Sequence, residues 1–198
     1  MATDEELMAG SQGGDRAALD ELVLRYHQRI HRYLYRSTGE QHLAEDLTQE
    51  CFVRLVVSGR LYQHPRPYRP WLYAIATNSM RRHFESAYQR HTTWLEDDRD
   101  EAVAGEADMP HLLVGRWSDR QDLDAVLAEL TPDHRSVIAL RYMEDFALAE
   151  IAAILNLPVN TVKTRLLRAL RRMRTLLEAR HPAPSDRFRG REEPCHAC

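Results

Sequence analysis

Several things are scarce in this chain, and each scarcity excludes a class of protein. Three cysteines in 198 residues, Cys51, Cys195 and Cys198, make no disulfide framework for a chain this long, which fits a reducing compartment. No apolar run approaches the roughly eighteen residues of a membrane span. The opening MATDEELMAG is acidic, where a secretory signal is basic and then apolar. The sequence thus predicts a cytoplasmic protein without a membrane partner. There is no alternating strand pattern and no internal repeat. There is also no phosphate-binding glycine loop, no HExxH, and no Ser/His/Asp set in a supporting local context, so neither an enzyme nor a cofactor is expected. Lysine is nearly absent: of 27 basic residues only Lys163 is one. What remains is 43% hydrophobic, enough to build cores for one large or two small domains, with a net charge of only -3.

That near-neutral total hides a basic segment. From 146 to 174 the chain reads FALAEIAAILNLPVNTVKTRLLRALRRMR. Ile151, Ile154 and Leu155 give a first short helix an apolar stripe, and Asn156-Leu157-Pro158 breaks it, because proline disfavours a helical conformation in the residue before it. A second helix starts near Pro158. Its apolar positions Val162, Leu166, Leu170 and Met173 recur at three- and four-residue steps and face inward, leaving Lys163, Thr164, Arg165, Arg168, Arg171 and Arg172 largely on other faces. Two helices joined by a tight turn, the second lined with cations, form the layout of a DNA-reading helix-turn-helix. Local positive charge attracts phosphate whatever the global balance.

Upstream, Leu19, Leu22, Val23, Tyr26, Ile30, Tyr33 and Leu34 mark one face of a helix over about 16–37, ended by Gly39. A second helix, about 42–57, carries Ala44, Leu47, Cys51 and Leu55 on one side, with Asp46, Gln49, Glu50 and Val53 on or near the other. Cys51 is then a small core residue. HPRPYRP, 64–70, is expected to be a loop because three prolines fix the backbone and remove donors. A third helix follows over about 70–90, with Trp71, Leu72, Ile75, Ser79 and Phe84 towards the core. Periodicity fails over 92–118, where acids dominate, and a solvated flexible linker is predicted. Helix returns over 119–130, and Thr131-Pro132 supplies an N-cap and a first-turn proline for a helix reaching about Met143. The expected fold is therefore all-α: a helical domain over 1–91, the acidic linker 92–118, a four-helix domain over 119–180, and a disordered tail over 181–198.

Four segments in this order, DEELMAGSQGGDRAALDELVLRY at 4–26, AEDLTQECFVRL at 44–55, RPWLYAIATN at 69–78 and LTPDHRSVIALRYMEDFALAEIAAILNLPVNTVKTRLLRALRRMR at 130–174, resemble the extracytoplasmic-function sigma factors of the sigma-70 family. The resemblance implies a region 2 bundle at 1–91 and a region 4 helix-turn-helix at 119–180, with core RNA polymerase and promoter DNA as partners. It also allows an inhibitory anti-sigma partner, which no residue of the sequence identifies. By the same carry-over, Asp46, Gln49, Glu50, Phe52 and Val56 dock on the polymerase. The loop and helix over about 64–90, with Asn78, Arg81 and Arg82, bind the opened strand near -10. Lys163, Thr164, Arg165, Leu167 and Arg168 serve the duplex element near -35. Without the family, Asp46, Gln49 and Glu50 read as a solvated polar face, and Trp71 as core.

The chain departs from the family pattern in two places. Arg82 stands where the family usually has an acid four positions after the asparagine, and the arginine run that follows is thinned to His83, Gln89, Arg90 and His91. At the start of the first helix of the helix-turn-helix, Ala147 replaces the usual capping serine. Cys195, His196 and Cys198 could supply three soft metal ligands, but the spacing is tighter than the usual CxxC and no fourth ligand is evident. An unstructured tail is the favoured reading. A stand-alone helix-turn-helix regulator explains the C-terminal half and leaves the first 90 residues without a task. Two promoter elements about two helical turns apart lie roughly 60–70 Å from each other. The 92–118 segment spans at most about 90 Å extended and averages near 30 Å as a coil, so the free protein is expected to be compact and the polymerase to hold the domains apart.

Overall fold

A computed structural model describes residues 2–88 and 120–180, and among these every regular element is helical. The predicted linker 92–118 and the tail bearing Cys195, His196 and Cys198 lie outside the described residues. No described helix is long and apolar enough to cross a membrane.

The first helix, α1 (Asp4–Gln12), is one the periodicity did not predict. Its signal is the capping box Thr3-Asp4-Glu5-Glu6: Thr3 Oγ1 accepts from the Glu6 N–H at 3.2 Å, and Glu6 Oε2 accepts from the Thr3 N–H at 2.8 Å. Next, α2 (Arg16–Thr38) starts on Asp15, whose carboxylate accepts from the N–H groups of Ala17 and Ala18, and ends where Gly39 turns left-handed at φ 79°. Of its predicted stripe, Leu22, Tyr26, Ile30, Tyr33 and Leu34 are buried, while Leu19 and Val23 are half-buried. Helix α3 (Gln41–Ser58) buries Ala44, Leu47, Cys51 and Leu55 as expected, and a single 3-10 turn, Gly59–Leu61, follows.

Helix α4 (Tyr68–Tyr88) begins inside the segment expected to be a loop. Pro70 falls in its first turn, where a missing N–H breaks no intrahelical bond, and Glu5 of α1 accepts from the Tyr68 N–H at 3.0 Å, supplying the cap that the local sequence lacks. Leu72 and Ser79 are buried as predicted. So are Tyr68, Tyr73, Ala76 and Met80, whereas Trp71, Ile75 and Phe84 are only partly covered.

In the C-terminal unit, α5 (Arg120–Ala128) leads to α6 (Pro132–Ile138), capped by Thr131, which accepts from the His134 N–H at 3.3 Å, with Pro132 at its start. The helix then widens into a π-turn, Ala139–Met143, and Asp145 takes a left-handed φ of 55°. Helices α7 (Leu148–Leu155) and α8 (Val159–Arg180) follow, joined through Asn156 at φ 54°. Asparagine and aspartate are the non-glycine residues that best tolerate this region.

The two units share one apolar core. In the N-terminal unit, α2 packs on α1 and α3, and α3 on α4; in the C-terminal unit, α8 packs on α5, α6 and α7. Between the units α4 lies against α7, and α2 against α6. The two halves are thus in contact, in the arrangement the linker arithmetic predicted for the free chain. At this junction the left-handed backbone of Gly39, φ 79°, favours glycine, and a Cβ there would push aside the end of the Arg135 guanidinium.

Candidate nucleic-acid interface

Helix α3 presents two faces because its apolar residues form two stripes. One, Ala44 to Leu55, is core. The other, Val53, Val56 and Val57, continues to Leu61 and stays in water at 63%, 58%, 71% and 79% exposure. Asp46 and Gln49 are exposed beside it and Glu50 is half-buried. Phe52 stacks on the ring of His27 with 5.7 Å between centres. The five residues implied for polymerase docking therefore lie on one helix, exposed or half-exposed. Val57 and Leu61 extend the same apolar stripe and were missed, although the four-residue steps 53, 57 and 61 were there to be read.

Asn78, Arg81 and Arg82 line one open groove of about 480 Å3 between α3 and α4, together with Arg54, Ser58, Ile75 and Glu85. Asn78 is exposed. Glu50 accepts from Arg54 Nε at 2.6 Å and lies 3.6 Å from Arg82, so a residue implied for polymerase docking and one implied for DNA binding share a charge cluster. Arg54 was missed, although Glu50 and Arg54 are spaced as a helical ion pair. Arg81 also reaches the C-terminal unit: its Nη2 donates to the Leu155 carbonyl at 2.9 Å, at the end of α7.

The loop ahead of α4 is braced by α1. Gln12 Nε2 donates to the carbonyls of Gly59 and Tyr62, each at 2.8 Å, and Tyr62, Tyr68 and Trp71 pack ring against ring with centres 5.0 to 6.1 Å apart. Trp71 is thus a half-covered edge of this cluster. Burial raises the Tyr68 hydroxyl far above its ordinary value of 10.0, so it stays neutral.

On α8, Val162, Leu166, Ala169, Leu170, Met173 and Leu176 are buried. Lys163, Arg171 and Arg172 are exposed, while Thr164, Leu167 and Arg168 are half-exposed. Arg165 differs: its side chain is only 11% exposed and its Nη1 lies 2.9 Å from the Asp133 carboxylate, back towards α6. Lower down, Arg174 pairs with Glu178 and Arg180 with Glu129.

Residues 22–90 match the family model of sigma-70 region 2, and residues 120–173 that of sigma-70 region 4. The chain is 35% identical over 171 residues to the ECF RNA polymerase sigma factor SigE of Mycolicibacterium smegmatis, covering 85% of this chain and 65% of SigE. It is 31% identical over 170 residues to SigW of Bacillus subtilis, covering 83% of this chain and 91% of SigW. Among solved structures it is similar to CnrH, determined in complex with the cytosolic domain of CnrY, at a TM-score of 0.64 and 26% identity over 89% of this chain and 97% of that one. The fold is also that of the sigma factor RpoE of Bartonella quintana in complex with the anti-sigma factor NepR, at a TM-score of 0.61 and 21% identity over 80% of this chain and 96% of that one. With both regions matched in order and SigW aligned over nearly its whole length, the chain belongs to the ECF RNA polymerase sigma factors of the sigma-70 family, which act in transcription initiation.

Proposed function

We propose that the protein binds core RNA polymerase and directs it to promoters, with the exposed face of α3 as the docking surface, the 62–67 loop and α4 as the reader of the opened strand near -10, and α8 as the reader of the duplex near -35. Asp46, Gln49, Glu50, Phe52 and Val56 carry the docking. Asn78, Arg81 and Arg82 serve the strand, since cations track a backbone while planar groups meet unstacked bases. Lys163, Thr164, Leu167 and Arg168 face the duplex, with Arg165 holding α8 to α6 beside them. The observation that carries this reading is the α3 face, where acids and amides flank an apolar stripe left in water. A DNA-binding regulator needs no such surface, and large exposed apolar stripes mark protein partners.

Promoter reading by both units requires them to separate. Elements roughly 60–70 Å apart are out of reach for two units held within hydrogen-bonding distance of each other. CnrH and RpoE were solved bound to CnrY and NepR, and this supports an anti-sigma partner for the present chain as well. A pull-down with purified core polymerase tests the docking assignment: Asp46→Ala weakens retention of the full chain, while its circular dichroism spectrum and its binding to duplex promoter DNA stay unchanged. Equal retention of variant and wild type removes Asp46 from the docking surface.

A further inference from the structure

We infer that residues 144–146 form an intramolecular latch, in which Glu144 and Phe146 hold the C-terminal unit against α4 and mask part of the strand-reading surface of the free chain. This rests on the reading of α4 proposed above. Backbone geometry aims the latch. The π-turn closes with the Glu144 N–H donating to the Ala139 carbonyl at 3.0 Å, and left-handed Asp145 reverses the chain, so that Glu144 and Phe146 both point at α4. There Arg69 lies over the Phe146 ring at 4.3 Å from its centre and donates to the Glu144 carbonyl, with Nη2 3.6 Å from the Glu144 carboxylate. The Tyr73 hydroxyl donates to the same carboxylate, and its ring meets Phe146 edge-on at 5.0 Å.

Glu144 is 7% exposed, and a carboxylate buried that deeply must be paired. Its pairing partners Arg69 and Tyr73 both belong to α4, so the buried charge is paired across the junction, and water replaces these partners when the units part. Further along α4, Arg81 donates to the Leu155 carbonyl at the negative end of α7, a favourable place for a cation. In that position one edge of the Arg81 guanidinium is committed to α7. Asn78 and Arg82 stay exposed on the other side of α4, and Lys163 stays exposed on α8, so the latch covers only the part of the strand reader around Arg81. It is also built to release. Burying an ion pair costs nearly what its attraction returns, and Arg69 Nε is buried with no acceptor among the described residues.

The test compares the full chain with Glu144→Gln and with Asp145→Asn. Both variants lose one negative charge, but Asp145 is exposed and asparagine tolerates its backbone angle, so it controls for charge alone. Small-angle scattering should show Glu144→Gln expanded relative to wild type and Asp145→Asn unchanged. Fluorescence anisotropy with a mixed-sequence single-stranded 15-mer should show about fivefold or more tighter binding for Glu144→Gln only, as expected for two linked equilibria. Arg69→Met, read by scattering alone, opens the latch from its other side if Glu144→Gln proves poorly folded. Unchanged dimensions in both latch variants overturn the latch. Expansion without any gain in strand binding overturns the masking, and it locates the failure in the role proposed for α4 rather than in the packing.

Discussion

Arg165 and Arg168 sit one turn apart on α8 in different surroundings. Arg165 is drawn inward to Asp133, whereas Arg168 stays on the partly open face. Arg168→Ala should therefore weaken binding of the polymerase-bound chain to its duplex element by about 1–3 kcal/mol, the range of an arginine contact to a base pair. Arg165→Ala should cost about 0.5 kcal/mol of stability, since Asp133 is 64% exposed and solvent screens the pair. Competition binding together with urea unfolding of the two variants checks the split, and equal effects on binding contradict it. A second residue-scale expectation concerns Cys51, fully buried, whose thiol is raised by burial from 9.0 to about 12. The unfolded chain releases this proton at about pH 9 while the folded chain keeps it. Stability is therefore unaffected below pH 9 and falls above it, by about 1.4 kcal/mol per pH unit for this one group. Urea midpoints for wild type and Cys51→Ala between pH 8 and pH 10 read the effect, and parallel curves contradict it.

At the scale of elements, capping explains both what could be read in advance and what could not. Where a helix end carries its own signal it was legible to within a residue or two: both ends of α2, at Asp15 and Gly39, and the start of α6, at Thr131 and Pro132, though α6 was expected to run to about Met143 and gives way to the π-turn after Ile138. The start of α4 was not, because its cap is Glu5, sixty-three positions away in the sequence. Helix α1 was missed for another reason: it is short, with a weak apolar stripe, and only its capping box announced it. Helix α7 retains half a box. Glu150 accepts from the Ala147 N–H at 2.8 Å, but Ala147 has no side-chain oxygen to return the bond. Ala147→Ser completes the pair and should raise stability by about 1 kcal/mol in urea unfolding. No gain would mean that packing against α4 already fixes this end.

Across the whole molecule, the stripes of α2, α3 and α8 and the helix-turn-helix were legible because a buried face has a period. The contact between the units was not. Arg69, Tyr73 and Arg81 meet residues of the C-terminal unit 71 to 75 positions away, and no local pattern encodes such a meeting. Chain length alone indicated that the units would lie close; which residues hold them is a property of the packed state. The same packing implies a motion, since one face of α4 is used against α7 in the free chain and against a DNA strand in the proposed complex. The most direct measurement is run-off transcription with purified core polymerase on fragmented DNA of the source genome, with every start site mapped. Initiation should depend on the added protein and start downstream of two shared elements at a constant spacing. Duplex binding by the protein alone, with no initiation above that of core polymerase, would contradict it.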